Sequence, residues 1–339
     1  MALKAPERVV VQQGPRFTVS RGLLTVTAAL VTLFIASAVF APTSMHQGAL
    51  LGMLPFAAVL AIVALGQTLV VQQGGIDLSV PGAVSLVVVI CTHQPQGNDS
   101  RLLPAVITAL VVAILAGIGN GILIGRLGLN PIVATLGMSA LLYSGVLGIS
   151  GGSPRRTTNL LANIAGGVTL GIPNAVYVAL LALVVTTVAM KLTVAGRRFE
   201  SVGANPEAAW ANGLRVTRHR AGAYIWAQVL YWLGGVMLAG IIAQPTAFQG
   251  DAYLLPSVAA VVLGGTSLLG GRGYLVATAV AALFLSQLNQ FVLALGVSFA
   301  VQTLVESAAL AIGVALYTLD WRAIRRRLLR AVPGATAST

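Results

Sequence analysis

The chain is short of charge and nearly bare of the residues that soluble chemistry uses. Of its 339 residues only 8% are charged; eight are acidic, three are histidine and one is cysteine. A lone cysteine, Cys91, excludes an intrachain disulfide. His46, His93 and His219 are scattered, so no metal-ligand cluster is expected. The dispersed acids offer neither a carboxylate pair nor a Ser–His–Asp arrangement. Lysine is scarcer still. Lys4 and Lys191 are the only two, and neither follows a glycine run as a Walker phosphate loop requires. The glycine-rich stretch GGTSLLGGRG at 264–273 offers Arg272 instead, and it follows an apolar segment that reads as helix rather than strand. No nucleotide site, bound cofactor or catalytic centre is expected on this chain.

What is abundant is apolar. Hydrophobic residues make up 57% of the chain, above the roughly 45–50% of soluble domains. The 38 glycines suit helices packed closely in lipid. The pattern predicts an all-α integral membrane protein with about ten transmembrane helices, near 23–41, 50–71, 79–93, 104–125, 131–150, 174–194, 222–243, 254–269, 274–295 and 298–319. The first is read as uncleaved, because the apolar run passes Ala36-Ser37-Ala38 and continues to Phe40. Ten spans put both termini on one side. With a cytoplasmic N-terminus, Arg101, Arg155 and Arg156 fall outside and the other seventeen basic residues inside, in keeping with the positive-inside rule. The net charge of +12 is therefore topological, and no nucleic-acid partner is expected. The tail RAIRRRLLR after Trp321 is expected to lie against anionic lipid headgroups.

The whole of 1–339 reads as one transmembrane domain with a cytoplasmic N-tail 1–22, a cytoplasmic loop 195–221 and a basic cytoplasmic C-tail 320–339. Two groups of four spans about a central crossing suit an inverted repeat of four-helix units. Two spans read as interrupted. Gly74 and Gly75 break the pattern in QQGGIDLSVPG, with a new helix expected at Ser79 and Pro81 in its first turn. The segment Leu254 to Leu269 is short for a span of about 20 residues. Broken helices at membrane depth are tolerated where protein buries them or a cavity adjoins them; tight cytoplasmic turns between antiparallel helices are the plainer alternative. The outer loop 151–173 contains a run, Leu160 to Ile164, that could form a short surface helix.

The island Gly196 to Arg220, GRRFESVGANPEAAWANGLRVTRHR, is strongly polar in an apolar chain. Asn205 suits an N-cap, Pro206 the first helical position, and Glu207 the positive end of the helix dipole. Gly213 suits the C-terminal cap. A two-turn helix held between two spans and flanked by arginines is placed to touch something in the cytoplasm.

Ionisable groups within spans are costly and face the bundle interior or a cavity. Glu306, with Gln302 one turn before it, and Asp77 are the two to name. Asp77 either fixes the broken helix beside a solute path or caps the next helix through Ser79. The amides Gln67, Asn120, Gln228, Gln287, Asn289 and Gln302 recur within spans. They serve either as interhelical hydrogen-bond partners or as the wall of a hydrophilic path. Amides outnumbering carboxylates suit a neutral polar solute better than an ion.

Four motifs carry a family resemblance: GGIDLSV at Gly74–Val80; NPIVATLG at Asn130–Gly137 with GGSP at Gly151–Pro154; VGANPEAAWANGLRV at Val202–Val216; and AAVVLGGTSLLGGRG at Ala259–Gly273. In order and spacing they span nearly the whole chain. The chain resembles the permease subunit of ribose-type ABC importers, which serve sugars, polyols and solutes such as autoinducer-2. The resemblance implies a permease dimer, identical or mixed. It implies a cytoplasmic ATPase of two fused nucleotide-binding domains that holds ATP and magnesium, and a periplasmic solute-binding protein. It implies a place in the bacterial inner membrane. The island helix would be the coupling helix, with Gly203, Asn205, Glu207, Ala208, Ala209 and Gly213 as contact residues and Trp210 as an apolar anchor. Two departures concern the solute. Relatives carry acids in a pattern like GYELDAIAAVV where this chain has Leu254 and Pro256, and many carry Lys where it has Glu306. The alternative reading is an ion-gradient-driven secondary transporter of a small polar solute; it fits the broken helices and the intramembrane Glu306.

Overall fold

The computed structural model describes residues 21–298 and a few positions between 300 and 311. The tails 1–20 and 320–339, Gln302, Glu306 and most of the expected span 298–319 lie outside the described residues. Twelve α-helices are described: α1 (Arg21–Phe40), α2 (Gln47–Gln72), α3 (Val80–His93), α4 (Leu102–Asn120), α5 (Pro131–Ser150), α6 (Asn159–Ala165), α7 (Asn174–Leu192), α8 (Val194–Ala204), α9 (Pro206–Ala211), α10 (Val216–Ile241), α11 (Leu254–Leu263) and α12 (Leu275–Ala294). Seven helical segments are long and apolar enough to cross a membrane, among them α4 with its flanks, Asp99–Arg126. Val80–His93 and Gln249–Leu263 are shorter apolar segments.

The bundle has a dry centre and a lipid-facing rim. Helices α2, α3 and α10 bury most of their length, and Val59, Ile62, Val63, Val84 and Tyr231 have no exposed surface. Glycines admit the close approach: a Cβ on Gly235 would press on Val87 and one on Gly234 on Val63. By contrast α4, α5 and α7 expose large apolar side chains such as Leu103, Leu141 and Leu181 along their outer faces. In water that would be an aggregating surface; against acyl chains it is the expected one.

Several boundaries differ from the sequence reading. Helix α11 ends at Leu263, not near 269, because Gly265, Gly270 and Gly271 take positive φ values of 88°, 92° and 103°; a 3₁₀ turn, Gln249–Tyr253, precedes it. The polar island is mostly helical. Thr193 breaks α7, caps α8 by accepting from the Gly196 N–H, and lets an amphipathic helix run to Ala204. At the other end, α10 begins at Val216, so Arg218 and Arg220 belong to its first turns. Helix α4 passes into a π-turn over Gly121–Arg126. In the loop 151–173 α6 does form, capped by Thr158, and a two-stranded hairpin, Val168–Thr169 with Ile172–Pro173, follows it.

Candidate functional site: a helix junction, a buried polar cluster and a cavity

The segments carrying three of the four motifs meet at the end of α2. The Gln72 carbonyl accepts from the Gly271 N–H at 2.9 Å, and the Gln73 amide donates to the Phe199 carbonyl at 2.9 Å. A Cβ on Gly203 would collide with the Gln72 carbonyl, and one on Gly270 would press on Gly203 and Gly74. Backbone approaches backbone here, so only glycine fits. The fourth motif buttresses the same place. Thr135 accepts from the Leu78 N–H at 3.0 Å, while Asn130 caps α5 by accepting from the Ile132 N–H.

Helix α9 follows directly on α8, whose Phe199 and Gly203 form part of this junction. The Asn205 side chain accepts from the Ala208 N–H at 2.9 Å, and Pro206 is the first helical residue. Gly213 lies one residue past the C-cap, which is Asn212, and has φ of 78°. Its N–H bonds the Trp210 carbonyl, and the Leu214 N–H bonds the Ala209 carbonyl. Those two bonds are a Schellman motif, which closes the helix and satisfies its last carbonyls. Ala209 faces inward and is buried. Glu207 and Ala208 face solvent, and Trp210 is 74% exposed. Lys191 of α7 pairs with Glu200 of α8.

The α2–α3 break holds a polar cluster with no exposed surface. Asp77 accepts from the Ser79 N–H at 2.9 Å and from the Ser79 hydroxyl. That hydroxyl in turn accepts from Asn120 of α4 at 3.2 Å and from Gln228 of α10 at 2.8 Å. The Gln67 amide lies against the Tyr231 hydroxyl and the Asp77 backbone; with its oxygen turned to the Asp77 N–H, at 3.1 Å, both of its ends are satisfied. Four of the sequence candidates, Gln67, Asp77, Asn120 and Gln228, are thus brought together around Ser79. Gln287 is also buried but lies apart, donating to Ser37 of α1 at 3.0 Å. None of the five lines the cavity described next.

A cavity of about 660 Å³ opens between α2, the 249–253 turn, α11 and α12. Phe56, Leu60, Leu255, Pro256 and Leu285 make its apolar wall, and Asp251, Ser286, Asn289, Thr303 and Ser307 bring polar groups to it. Asn289 is the one sequence candidate among the described residues that borders it. Asp251, missed in the sequence, is held by the Tyr143 hydroxyl of α5, whose ring stacks at a tilt on Phe248 with centroids 5.6 Å apart. The signal was there: Asp251 is one of only eight acids and directly precedes the short span.

Residues 49–319 match the protein family described as the permease component of branched-chain amino acid transport systems. The chain belongs to this permease family. The permease is 34% identical to the ribose import permease protein of Bacillus subtilis over 85% of its own length and 90% of that protein's. It is 30% identical to the autoinducer 2 import system permease protein of Photorhabdus temperata, over 75% and 78% of the two chains. It is also 30% identical to the fructose import permease protein of Bifidobacterium longum, over 74% and 72%. No solved structure matches it. The permease is thus a multi-pass membrane subunit of a ribose-type ABC importer.

Proposed function

We propose that this permease imports a small neutral hydroxylated solute, a monosaccharide or polyol, into the bacterial cytoplasm across the inner membrane. The observation that carries the solute class is the cavity. Its volume falls in the range of about 300–1,000 Å³ usual for small-molecule sites. It combines apolar wall for the C–H faces of a sugar with one carboxylate, Asp251, and a few hydroxyl and amide groups to accept and donate at its edges. The names of relatives that import ribose, fructose and autoinducer 2 support the same class. Asn289, and by position Gln302 and Glu306, would belong to that path; the cluster around Ser79 would be its frame.

Transport would run by alternating access in a permease dimer, identical or mixed. A cytoplasmic ATPase of two fused nucleotide-binding domains would bind ATP and magnesium, which this chain would not hold, and a periplasmic binding protein would deliver the solute. Gly203, Asn205, Glu207, Ala208, Ala209 and Gly213 would form the coupling element. Exposed Glu207, Ala208 and Trp210 on a rigidly capped helix support that assignment. Ten spans with both termini cytoplasmic would complete the fold, and four-helix units on either side of α7 would form the inverted repeat.

The test is uptake in proteoliposomes holding the permease, its ATPase and its binding protein. Glu207→Arg reverses the charge at the N-terminus of α9, and Gly213→Pro forbids the 78° φ and removes an N–H donor. Both are expected to insert and dimerise yet fail to import. Wild-type uptake by either would overturn the coupling assignment.

A further inference from the structure

A second recess, of about 240 Å³, lies at the same end of the bundle as α9, between the α2–α3 break, the start of α5 and the start of α10. Gln73, Gly75, Asn130, Pro131, Arg220 and Tyr224 border it. Three independent features converge there. The Arg220 guanidinium is partly exposed and has neither a hydrogen bond nor an ion pair among the described residues. The Tyr224 side chain is 98% buried (2% exposed), and its hydroxyl has no hydrogen-bond partner among the described residues. That hydroxyl points across Gly75, where any Cβ would strike it. Helix α5, 20 residues long, starts at the recess with Pro131, which carries no N–H; the first-turn amides outside the intrahelical ladder are those of Ile132 and Val133, at the positive end of the helix dipole. Asn130 caps one of them and leaves its own amide N–H₂ unengaged among the described residues. Asp77 gives its Oδ1 to the Ser79 cluster and does not border the recess; its Oδ2 has no hydrogen-bond partner among the described residues.

An unpaired guanidinium, an unpaired phenol and a helix N-terminus are all donors, and together they ask for an acceptor with several oxygens and negative charge. We propose that this recess binds a phosphate group at the membrane surface, with Arg220 supplying charge and the Tyr224 hydroxyl and the Asn130 side-chain N–H₂ supplying directed hydrogen bonds. A cytoplasmic leaflet rich in anionic lipid offers such phosphates at this depth, and dissolved phosphate offers the same chemistry. Occupation would brace the α2–α3 break against the starts of α5 and α10, the second of which also packs against α9.

The test is the melting temperature of the full-length permease in lipid nanodiscs. Two probes are used: phosphatidylglycerol in place of phosphatidylcholine, and inorganic phosphate added to phosphatidylcholine discs. The site predicts a Tm rise of roughly 5 °C with at least one probe, as a near-saturating ligand gives for a chain of this size. Arg220→Gln should abolish the rise, and Tyr224→Phe should weaken apparent affinity about fivefold, the worth of one hydrogen bond. A rise with phosphatidylglycerol alone assigns a lipid headgroup; a rise with phosphate in phosphatidylcholine assigns a free anion. Because each variant is compared with itself across lipids, a purely structural loss of stability cancels. No rise with either probe, or equal rises in wild type and both variants, overturns the site. A loss confined to Arg220→Gln also overturns it, since surface charge alone would then account for the effect.

Discussion

Two polar regions of this permease use the same residue types in opposite ways. Around Ser79, groups from α2, the α2–α3 break, α4 and α10 are tied together through one hydroxyl and admit no solvent, with Asp77 Oδ2, Asn120 Oδ1 and Gln228 Oε1 left without a partner among the described residues. Around Asp251, polar groups sit apart from one another on an apolar wall beside open space, with Asp251 held by Tyr143 and Ser286 by the Ala282 carbonyl. The first arrangement joins four helices at the point where a helix is broken. The second sets polar groups where a visitor can reach them. A polar residue in a membrane span is thus not in itself a sign of a path; what separates the two roles is whether the group borders a cavity or is closed off from one.

The sharpest way to break this comparison is Ser79→Ala. The change adds no bulk but removes the shared hydroxyl, leaving Asn120, Gln228 and Asp77 shorter still of partners in a dry interior. Each unsatisfied buried group costs about 1–3 kcal/mol, more when charged, against a typical total stability of about 5–15 kcal/mol. Little folded protein is expected, measured as the monodisperse fraction in detergent. Normal yield with normal melting would mean that the cluster is not the frame. A similar loss is expected from Gly203→Val, whose branched side chain would strike the Gln72 carbonyl of α2 with backbone on both sides and no room to yield.

Asp251→Ala should behave in the opposite way. The carboxylate is on the cavity wall, so Tm should move little while uptake falls. Removing a charged acceptor costs about 1.5–3 kcal/mol of hydrogen bonding, or roughly a 10- to 100-fold loss in transport efficiency. Tyr143→Phe frees Asp251 without removing it and should give a smaller loss, about threefold to tenfold. Transport at wild-type rates with a large drop in Tm would reverse the assignment, making Asp251 frame and not path.

The sequence foretold the helices far better than it foretold this division. Long apolar runs, Ser79 and Pro81 at a helix start, and Gly74 at a break are local signals, and they placed most helices within a few residues. The cap of α9 was equally readable, because Asn205, Pro206 and Gly213 act over one or two turns. The six amides could not be sorted. A helix surrounded by apolar neighbours, whether protein or lipid, has no polar face to orient it, so nothing local separates Gln228, tied to Ser79, from Asn289, on the cavity. The convergence of Gly203, Gly270 and Gly74 was hidden for a related reason. Each glycine was visible, but which backbone it must admit is a long-range fact. The start of α8 was missed because a charged, polar stretch between spans was read as loop when Thr193 made it a second, amphipathic helix.

Gln287→Leu is the mildest test and probes the boundary between the two regions. Gln287 is fully buried on α12, the helix that also carries Ser286 and Asn289 to the cavity wall, yet its amide turns away to Ser37 on α1. Leucine is close in volume and removes the donor, leaving the Ser37 hydroxyl able to turn to its own helix backbone, as Thr32 does with the Ala28 carbonyl. The Gln287 side-chain oxygen has no partner among the described residues, so the substitution also removes an unsatisfied acceptor. The lost bond and the relieved acceptor each amount to about 1 kcal/mol and oppose one another. A change in Tm of no more than about 3 °C and unchanged uptake are therefore expected. A tenfold fall in uptake at constant Tm would extend the path to Gln287 and move the border between frame and cavity one helix face toward α1.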